Sequence, residues 1–483
     1  MALSGEDQTP WPGTTYQVGM CDQTVWIPDG IDTLRGIMIA EKPIDHDWSN
    51  MCAMWGFAHI NHNEWPCNSS MEKVDWDQMF NEAAEASGHP ELKYAPFIIH
   101  GFSRHGDEPM HVMQWWPERT ITVSSGQPVR AKEDHPAGIP ILHSAECGQG
   151  QTSAGYPGIR AIPGRIQSHR SAGKQIAYVP MWGWGHGYYS IRDFEWVWFD
   201  RMIKLRLPEG ETPIDGIVDL VPLDESKAWT GNPDHWYDST NMLFPDIMPL
   251  DEYSGDSSRV PFIPTRELAW LWRAYSSRHP TENQKDQGES WVGGMSTTYK
   301  FPGQANLMIT SPIRPYHLGK VNGKYYKIVT VGTTLTFNVG RIGNINYSNM
   351  KILRFYQGAE LLSEVKPNLY GFYNSRVTLN NPGVQFITLQ IEFQSGEIVT
   401  TRPALIYVVD QEHYDIVMEE TSVSHGRAVR QSGQITRRRR PVAAFDIRGR
   451  ALPVNGRPSG AVQIVVPEKG SRTRSTVELR KDW

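Results

Sequence analysis

The hydrophobic period of this chain changes partway along it, and that change limits the available folds more than any other feature. Over residues 24–208, short apolar runs alternate with longer amphipathic segments. Residues 35–40 (RGIMIA), 94–100 (YAPFIIH), 119–124 (RTITVS), 139–145 (IPILHSA) and 175–180 (QIAYVP) read as buried strands. Residues 48–59, 75–87 (stopped by Gly88) and 194–207 (FEWVWFDRMIKLRL) have helical spacing, and 57–61 leads into a further short strand. Strands separated by helices predict a mostly parallel sheet with helices on both faces. From about residue 307 to 410 the period becomes two. Segments 325–331, 333–339, 351–356, 377–379, 385–393 and 404–409 are strand-like, with turns at Val331-Gly332, Gln357-Gly358, Asn381-Pro382-Gly383 and Ser395-Gly396. This spacing predicts an all-β, immunoglobulin-like sandwich, here without cysteine.

With 483 residues the chain is long enough for about three domains. The expected division is an α/β domain over 1–285, a β-sandwich over 300–411, a linker over 412–440 and a β-rich C-terminal module over 441–483. Inside the first lies a Pro-, Asp-, Gly- and Trp-rich stretch, 208–264, whose length without periodicity is that of a lid or binding loop. A short helix, 265–277, follows it. The formal charge of −6 hides an asymmetry: residues 425–483 hold 14 Lys+Arg and 4 Asp+Glu, a net of +10, leaving −16 for the rest. An acidic body carrying a basic tail is read as two objects. No run approaches the roughly 18 apolar residues of a membrane span, so no integral membrane segment is expected. Residues 1–20 show no positive start followed by an apolar core, which suits either a processed exported chain or one that stays in the cell.

The chemistry concentrates where the strand 94–100 runs into Gly101-Phe102-Ser103-Arg104-His105-Gly106. A small-x-Ser-x-small turn between strand and helix exposes a nucleophilic hydroxyl at the carboxyl end of a sheet. The amide that follows it, Arg104 N–H, is placed to donate to an oxyanion at a helix N-terminus. Here the second position after the serine is His105 rather than glycine, and a β-carbon there should crowd the helix against the neighbouring strand. A hydrolase of this type needs an acid and then a histidine downstream. Glu146 stands where the strand 139–145 ends, with Glu133 and Asp134 as alternatives. His186, flanked by glycines in Gly183-Trp184-Gly185-His186-Gly187, follows the next strand. A second oxyanion amide is expected in the loop after 35–40, near Glu41 and Lys42.

At this point the chain resembles a family. Trp26-Ile27-Pro28-Asp29-Gly30, Leu34-Arg35-Gly36-Ile37, Ser87-Gly88-His89-Pro90-Glu91-Leu92, Ala95-Pro96-Phe97 and the serine turn look like secreted bacterial α/β-hydrolases, the esterase and polyester-depolymerase-like group. Trp116-Pro117-Glu118-Arg119 and residues 203–208 fit it as well. The resemblance covers roughly 24–280 and implies a serine nucleophile at Ser103 and a base at His186. It departs from the family at His105, and no aspartate stands two residues after Glu146. At the other end, residues 444–450 and 458–466 resemble C-terminal modules of secreted bacterial proteins, in which a D-x-x-G-R turn precedes P-S-G-x-Y-x-V. That likeness implies export or surface attachment, with contact to secretion machinery.

Other local signals point elsewhere. His59-x-x-His62 with Glu64, and Asp45-His46-Asp47, lack the HExxH pattern, so no metal and no cofactor is expected. Arg437–Arg440 reads as a solvated linker or processing site rather than a nucleic-acid contact, since the body is acidic. Cys52 and Cys67 are close enough in sequence to bridge, and Cys147 adjoins Glu146, yet four cysteines (with Cys21) allow three pairings. The composition holds 18 Trp against 15 Phe. Trp196, Trp198, Trp270 and Trp272 have core spacing. Trp182, Trp184, Trp115-Trp116, Trp229 and Trp236 lie in or beside loops, and with His105 they suggest aromatic platforms for a ligand. The reading is a secreted or cell-surface serine esterase acting on an ester, such as a plant cell-wall or other carbohydrate-linked one. The reading from a different class is an inactive hydrolase fold serving as a surface polysaccharide-binding or adhesion protein, which the His105 departure favours.

Overall fold

The computed structural model describes residues 11–62 (except 20, 22, 42 and 45), 71–126, 135–147, 162–182, 192–232, 245–276, 306–311, 316–317, 327–340, 350–366, 374–416 (except 397, 401 and 402), 444–445, 451–452 and 464–465. They fall into two compact units, Met1–Met418 and Glu419–Trp483.

In the first unit an eight-stranded sheet combines β1 (Gly13–Val18), β2 (Gln23–Pro28), β3 (Gly36–Ala40), β4 (Phe57–Asn61), β5 (Phe97–Phe102), β6 (Thr120–Gly126), β7 (Ile141–Cys147) and β8 (Ile176–Trp182). Their order is β1-β2-β4-β3-β5-β6-β7-β8. The β1–β2 and β2–β4 pairs are antiparallel, and every pair from β4 onward is parallel. Strands β3, β4, β5 and β6 are buried along their whole length because both faces are covered, and alternate side chains go to opposite faces. Met38, Ala40, Ile98, Ile121, Leu142, Ala177 and Val179 join one core with α1 (His46–Trp55), α5 (Arg192–Arg206) and α6 (Arg266–Ser276). Ile37, Ile39, Phe97, Ile99, Val123, Ile141 and Ile176 join the other with α2 (Lys73–Ser87) and α3 (Glu108–Trp115). The mixed α/β architecture expected from the sequence is therefore present.

One local expectation needs correction. The helix expected over 48–59 ends at Trp55: Gly56 takes φ 70°, and Phe57–Asn61 pairs with both β2 and β3. Its own apolar run had a better use inside the sheet than as another helical turn. The hairpin of β1 and β2 was not legible, since β1 is an edge strand with mostly exposed, polar side chains. Helix α4 (Ile162–Ser171) also lacks the apolar stripe that would announce it. Within 208–264 the described chain is largely irregular, carrying only the short strands β9 (Trp229–Gly231) and β10 (Ile247–Pro249) and three single-turn 3-10 segments.

The period-two region is all β. One sheet orders β12 (Tyr316–His317), β11 (Asn306–Ser311), β14 (Thr333–Gly340) and β17 (Asn374–Leu379). The other orders β13 (Lys327–Thr330), β20 (Ala404–Val409), β18 (Gly383–Phe393), β15 (Met350–Gln357) and β16 (Glu360–Val365), with β19 (Ile398–Thr400) beside β18. The turn glycines Gly332, Gly358, Gly383 and Gly396 all have positive φ, the conformation that made glycine informative there. Leu335, Phe337, Val377 and Leu379 of one sheet share a core with Leu353, Phe355, Ile387, Leu389 and Ile406 of the other. The second sheet is apolar on its outer face too. Val384, Phe386, Leu405 and Tyr407 belong to the same core as α5 and α6. Trp270 Nε1 donates to Thr388 Oγ1 at 3.0 Å, and its ring lies 4.2 Å from that of Tyr356. Arg201 pairs with Glu267 at 2.6 Å and donates to the Val384 carbonyl at 2.8 Å.

The second unit contributes a small sheet ordered β22 (Ala451–Leu452), β21 (Ala444–Phe445), β23 (Ile464–Val465). The Arg437–Arg440 run lies outside the described residues. Among the described residues no helix is long and apolar enough to cross a membrane.

Candidate functional site

Strand β5 is buried along its whole length and delivers the chain to Ser103, the first residue of a 3-10 turn, Ser103–Asp107, that leads into α3. Ser103 has φ 59°, and among the described residues it alone combines a side chain with positive φ. Such a conformation costs of order 1–3 kcal/mol and persists only where the surroundings over-determine it. A β-carbon on Gly101 would lie 2.0 Å from the His105 carbonyl oxygen and 2.8 Å from Pro109 Cδ, so the turn closes only over glycine. On the far side, Ser125 Oγ of β6 donates to the Gly106 carbonyl at 2.7 Å.

The sequence implied crowding at His105. Its ring is buried, 6.3 Å from that of His62 and edge-on to it, and His62 in turn lies 6.2 Å from Trp76 of α2. His62 immediately follows β4, and His59 lies on it. Three positions apart on extended chain, the two point to opposite faces: His59 lies 6.4 Å from Trp48 of α1, on the other side of the sheet.

Because β5, β6, β7 and β8 are parallel, their carboxyl ends share one edge of the sheet. Glu146 is the penultimate residue of β7, in register with Met181, and Trp182 ends β8 opposite Cys147. The side chains of Glu146 and Trp182, and that of Arg104 in the turn, lie outside the described residues, as do Lys42, Glu133, Asp134, Trp184, His186 and Trp236 altogether. Trp115, at the end of α3, is half-buried against Trp116 and 6.4 Å from His111. Trp116 is not a platform: it is buried among Phe80 and Phe97. Trp229 is half-buried on β9, with the Arg266 guanidinium 5.9 Å from its ring. Trp196, Trp198 and Trp272 are fully buried, as their spacing implied.

Polar groups that sequence reasoning missed surround the turn. Glu41, one residue past β3 and 2% exposed, accepts the Phe102 N–H at 2.9 Å. His100 Nδ1 lies 2.9 Å from Glu195 Oε1 of α5, and Ser124 Oγ donates to the same oxygen at 2.5 Å. These three are a serine, a histidine and an acid, yet none is exposed to solvent, so no substrate reaches them. His143, three residues before Glu146 on β7, must donate from Nδ1 to the Ser125 carbonyl at 3.2 Å. Burial holds it neutral, well below the usual histidine range, with His169 beside it adding to the effect. Only His100 and Glu41 stood near a motif, and their partners are 95 and 61 residues away in sequence.

The cysteines are partly resolved. Cys21 is disulfide-bonded, whereas Cys52 is a reduced thiol buried in α1, so the bridge considered between Cys52 and Cys67 does not form. Cys52 points into the α1 side of the core, packed with Trp48 and Trp55, rather than toward a loop.

No family model matches the chain, and no curated protein matches it. Among solved structures it is similar to naproxen esterase (carboxylesterase NP) from Bacillus subtilis, with 11% identity, 37% of this chain and 87% of that chain covered, and a TM-score of 0.24. It is similar to MGS-M1, an alpha/beta hydrolase enzyme from a Medee basin deep-sea metagenome library, with 10% identity, 40% and 100% covered, and a TM-score of 0.30. Fibronectin(III)-like modules of Clostridium thermocellum CbhA share 13% identity over 21% of this chain and 93% of theirs, at a TM-score of 0.16. Likenesses this distant carry no argument about activity.

Proposed function

We propose that the chain is a secreted serine esterase of the α/β-hydrolase fold, followed by an immunoglobulin-like sandwich and a C-terminal sorting-type module. The observation that carries the reading is the left-handed Ser103 at the carboxyl end of a central parallel strand, in a turn that only Gly101 permits. Strain of this kind is retained where it aims a side chain out of the sheet.

In the proposed mechanism His186 removes the Ser103 proton as Oγ attacks the ester carbonyl carbon, and the Glu146 carboxylate holds the imidazole in the productive tautomer. Arg104 N–H and an amide near Lys42 donate to the oxyanion. Collapse of the tetrahedral intermediate breaks the C–O bond, and His186 passes its proton to the departing alkoxide. Water, deprotonated by His186, then attacks the acyl carbon, and the C–Oγ bond breaks as His186 returns the proton to Ser103 Oγ and the acid leaves. No cofactor enters these steps. Trp182, Trp184, Trp115 and His105 would form the substrate walls, and aromatic walls suit an ester whose alcohol or acyl part is a sugar or an aromatic ring.

A fluorophosphonate probe and short nitrophenyl esters test the reading. Labelling and turnover are expected in the wild type, none in Ser103→Ala, and strongly reduced rates in His186→Ala. Turnover that persists unchanged in Ser103→Ala would remove the nucleophile assignment. A wild type that neither labels nor turns over would leave the polysaccharide-binding reading in its place.

A further inference from the structure

We infer that Glu41 is a positioning residue for the nucleophile turn: its buried carboxylate replaces a missing strand and joins the two halves of the oxyanion site. The inference rests on the esterase reading of Ser103. Strand β3 pairs with β5 at Ile37↔Phe97, Met38↔Ile98 and Ile39↔Ile99 and then stops, while the β5–β6 ladder continues to Phe102↔Gly126. On the β3 side, the last backbone groups of β5 therefore have no neighbouring strand. A buried amide left in that state would be costly, and the side chain of the first residue past β3 fills the gap. Glu41 Oε2 accepts from Phe102 N–H at 2.9 Å, at a residue 2% exposed.

The location gives this bond a consequence for chemistry. Phe102 immediately precedes the strained Ser103, and Glu41 immediately precedes Lys42, where the second oxyanion amide is expected. One side chain thus ties the start of the oxyanion loop to the start of the nucleophile turn. The opposite end of that turn is held by Ser125 through Gly106. With both ends pinned, Ser103 and the amide after it are held relative to Glu41.

The test compares wild type, Glu41→Ala, Glu41→Gln and Glu41→Asp by fluorophosphonate labelling rate, by kcat and KM on a nitrophenyl ester, and by Tm. Loss of alignment should lower the labelling rate and kcat of Glu41→Ala by about ten- to a hundredfold. KM should move by less than about threefold, since substrate walls are untouched. Gln keeps an acceptor oxygen, so Glu41→Gln should stay within about threefold of wild type. Wild-type rates in Glu41→Ala would overturn the inference, as would equal losses in the Gln and Ala variants. If Glu41→Ala does not fold, Glu41→Asp carries the test, because it keeps the carboxyl group on an arm too short to span the gap; wild-type rates there overturn it too. A wild type that does not label sinks the esterase reading and this inference together, whereas a labelled wild type with an unaffected Glu41→Ala sinks only the inference.

Discussion

Acid should weaken this protein through two buried histidines, His135 and His143, which both pack against His169. His135 is 5% exposed, its Nε2 is 3.0 Å from His169 Nδ1, and the two rings stack with centroids 5.1 Å apart. His143 packs 5.6 Å from the same His169 ring. Burial pushes His135 down to about 3 from an ordinary 6.5, and the nearby charges of Lys174 and His169 add to the depression. His143 is lowered well below the ordinary value by burial and by His169, with His135 and Arg165 contributing. Both folded values lie below the unfolded one, so the unfolded chain takes up protons first as pH falls. The stabilisation is complete above about pH 6.5 and is lost progressively down to the folded value near 3. One pKa unit corresponds to about 1.4 kcal/mol, so between pH 7 and 5 His135 alone accounts for about 2 kcal/mol. His143 should act in the same direction, and the total stability is of order 5–15 kcal/mol. The measurement is urea unfolding at pH 7.0, 6.0 and 5.0 for wild type and His135→Gln. The variant should lose about 2 kcal/mol less than wild type across that interval, although it starts lower at pH 7. Identical pH slopes in the two proteins would refute the reasoning.

Three further outcomes follow from the geometry. Ser103→Gly should remove fluorophosphonate labelling while raising stability by about 1 kcal/mol in urea unfolding, because glycine accepts φ 59° without strain. A lower midpoint would show the turn to be unstrained. Gly101→Ala should abolish labelling with the Ser103 hydroxyl still present, since its Cβ would fall 2.0 Å from the His105 carbonyl; a labelled, folded variant would contradict that packing. Trp270→Ala removes a buried ring tilted against Tyr356 and a hydrogen bond to Thr388, and should cost about 3–5 kcal/mol. Calorimetry should then show the sandwich melting apart from the α/β body. One unshifted transition would mean the shared core is not held at that contact.

Periodicity made the larger part of the fold readable. Apolar runs such as 35–40 and 139–145, and helical runs such as 194–207, became strands and helices because local spacing and burial agree there. The turn glycines of the sandwich were legible for a similar local reason, as each needs positive φ. Strand β1 escaped notice because an exposed edge strand has no apolar alternation to read. Strand β18 mixes its apolar residues with Gln385, Thr388 and Gln390, so its period-two pattern did not announce that both of its faces would be covered.

What the sequence by itself determined is the class of its strongly periodic segments and the place of the serine turn, since both depend on neighbours a few residues apart. Tertiary structure alone decided that His105 sits against His62, that Trp116 is core, and that Cys52 stays a thiol. It also decided which buried polar groups are satisfied: Glu41 meets Phe102, and Glu195 meets His100 and Ser124. Those pairings span 61 to 95 residues, and no local pattern encodes them. A buried amide or carboxylate chooses its partner by where parallel strands end, and that is known only once the sheet is assembled.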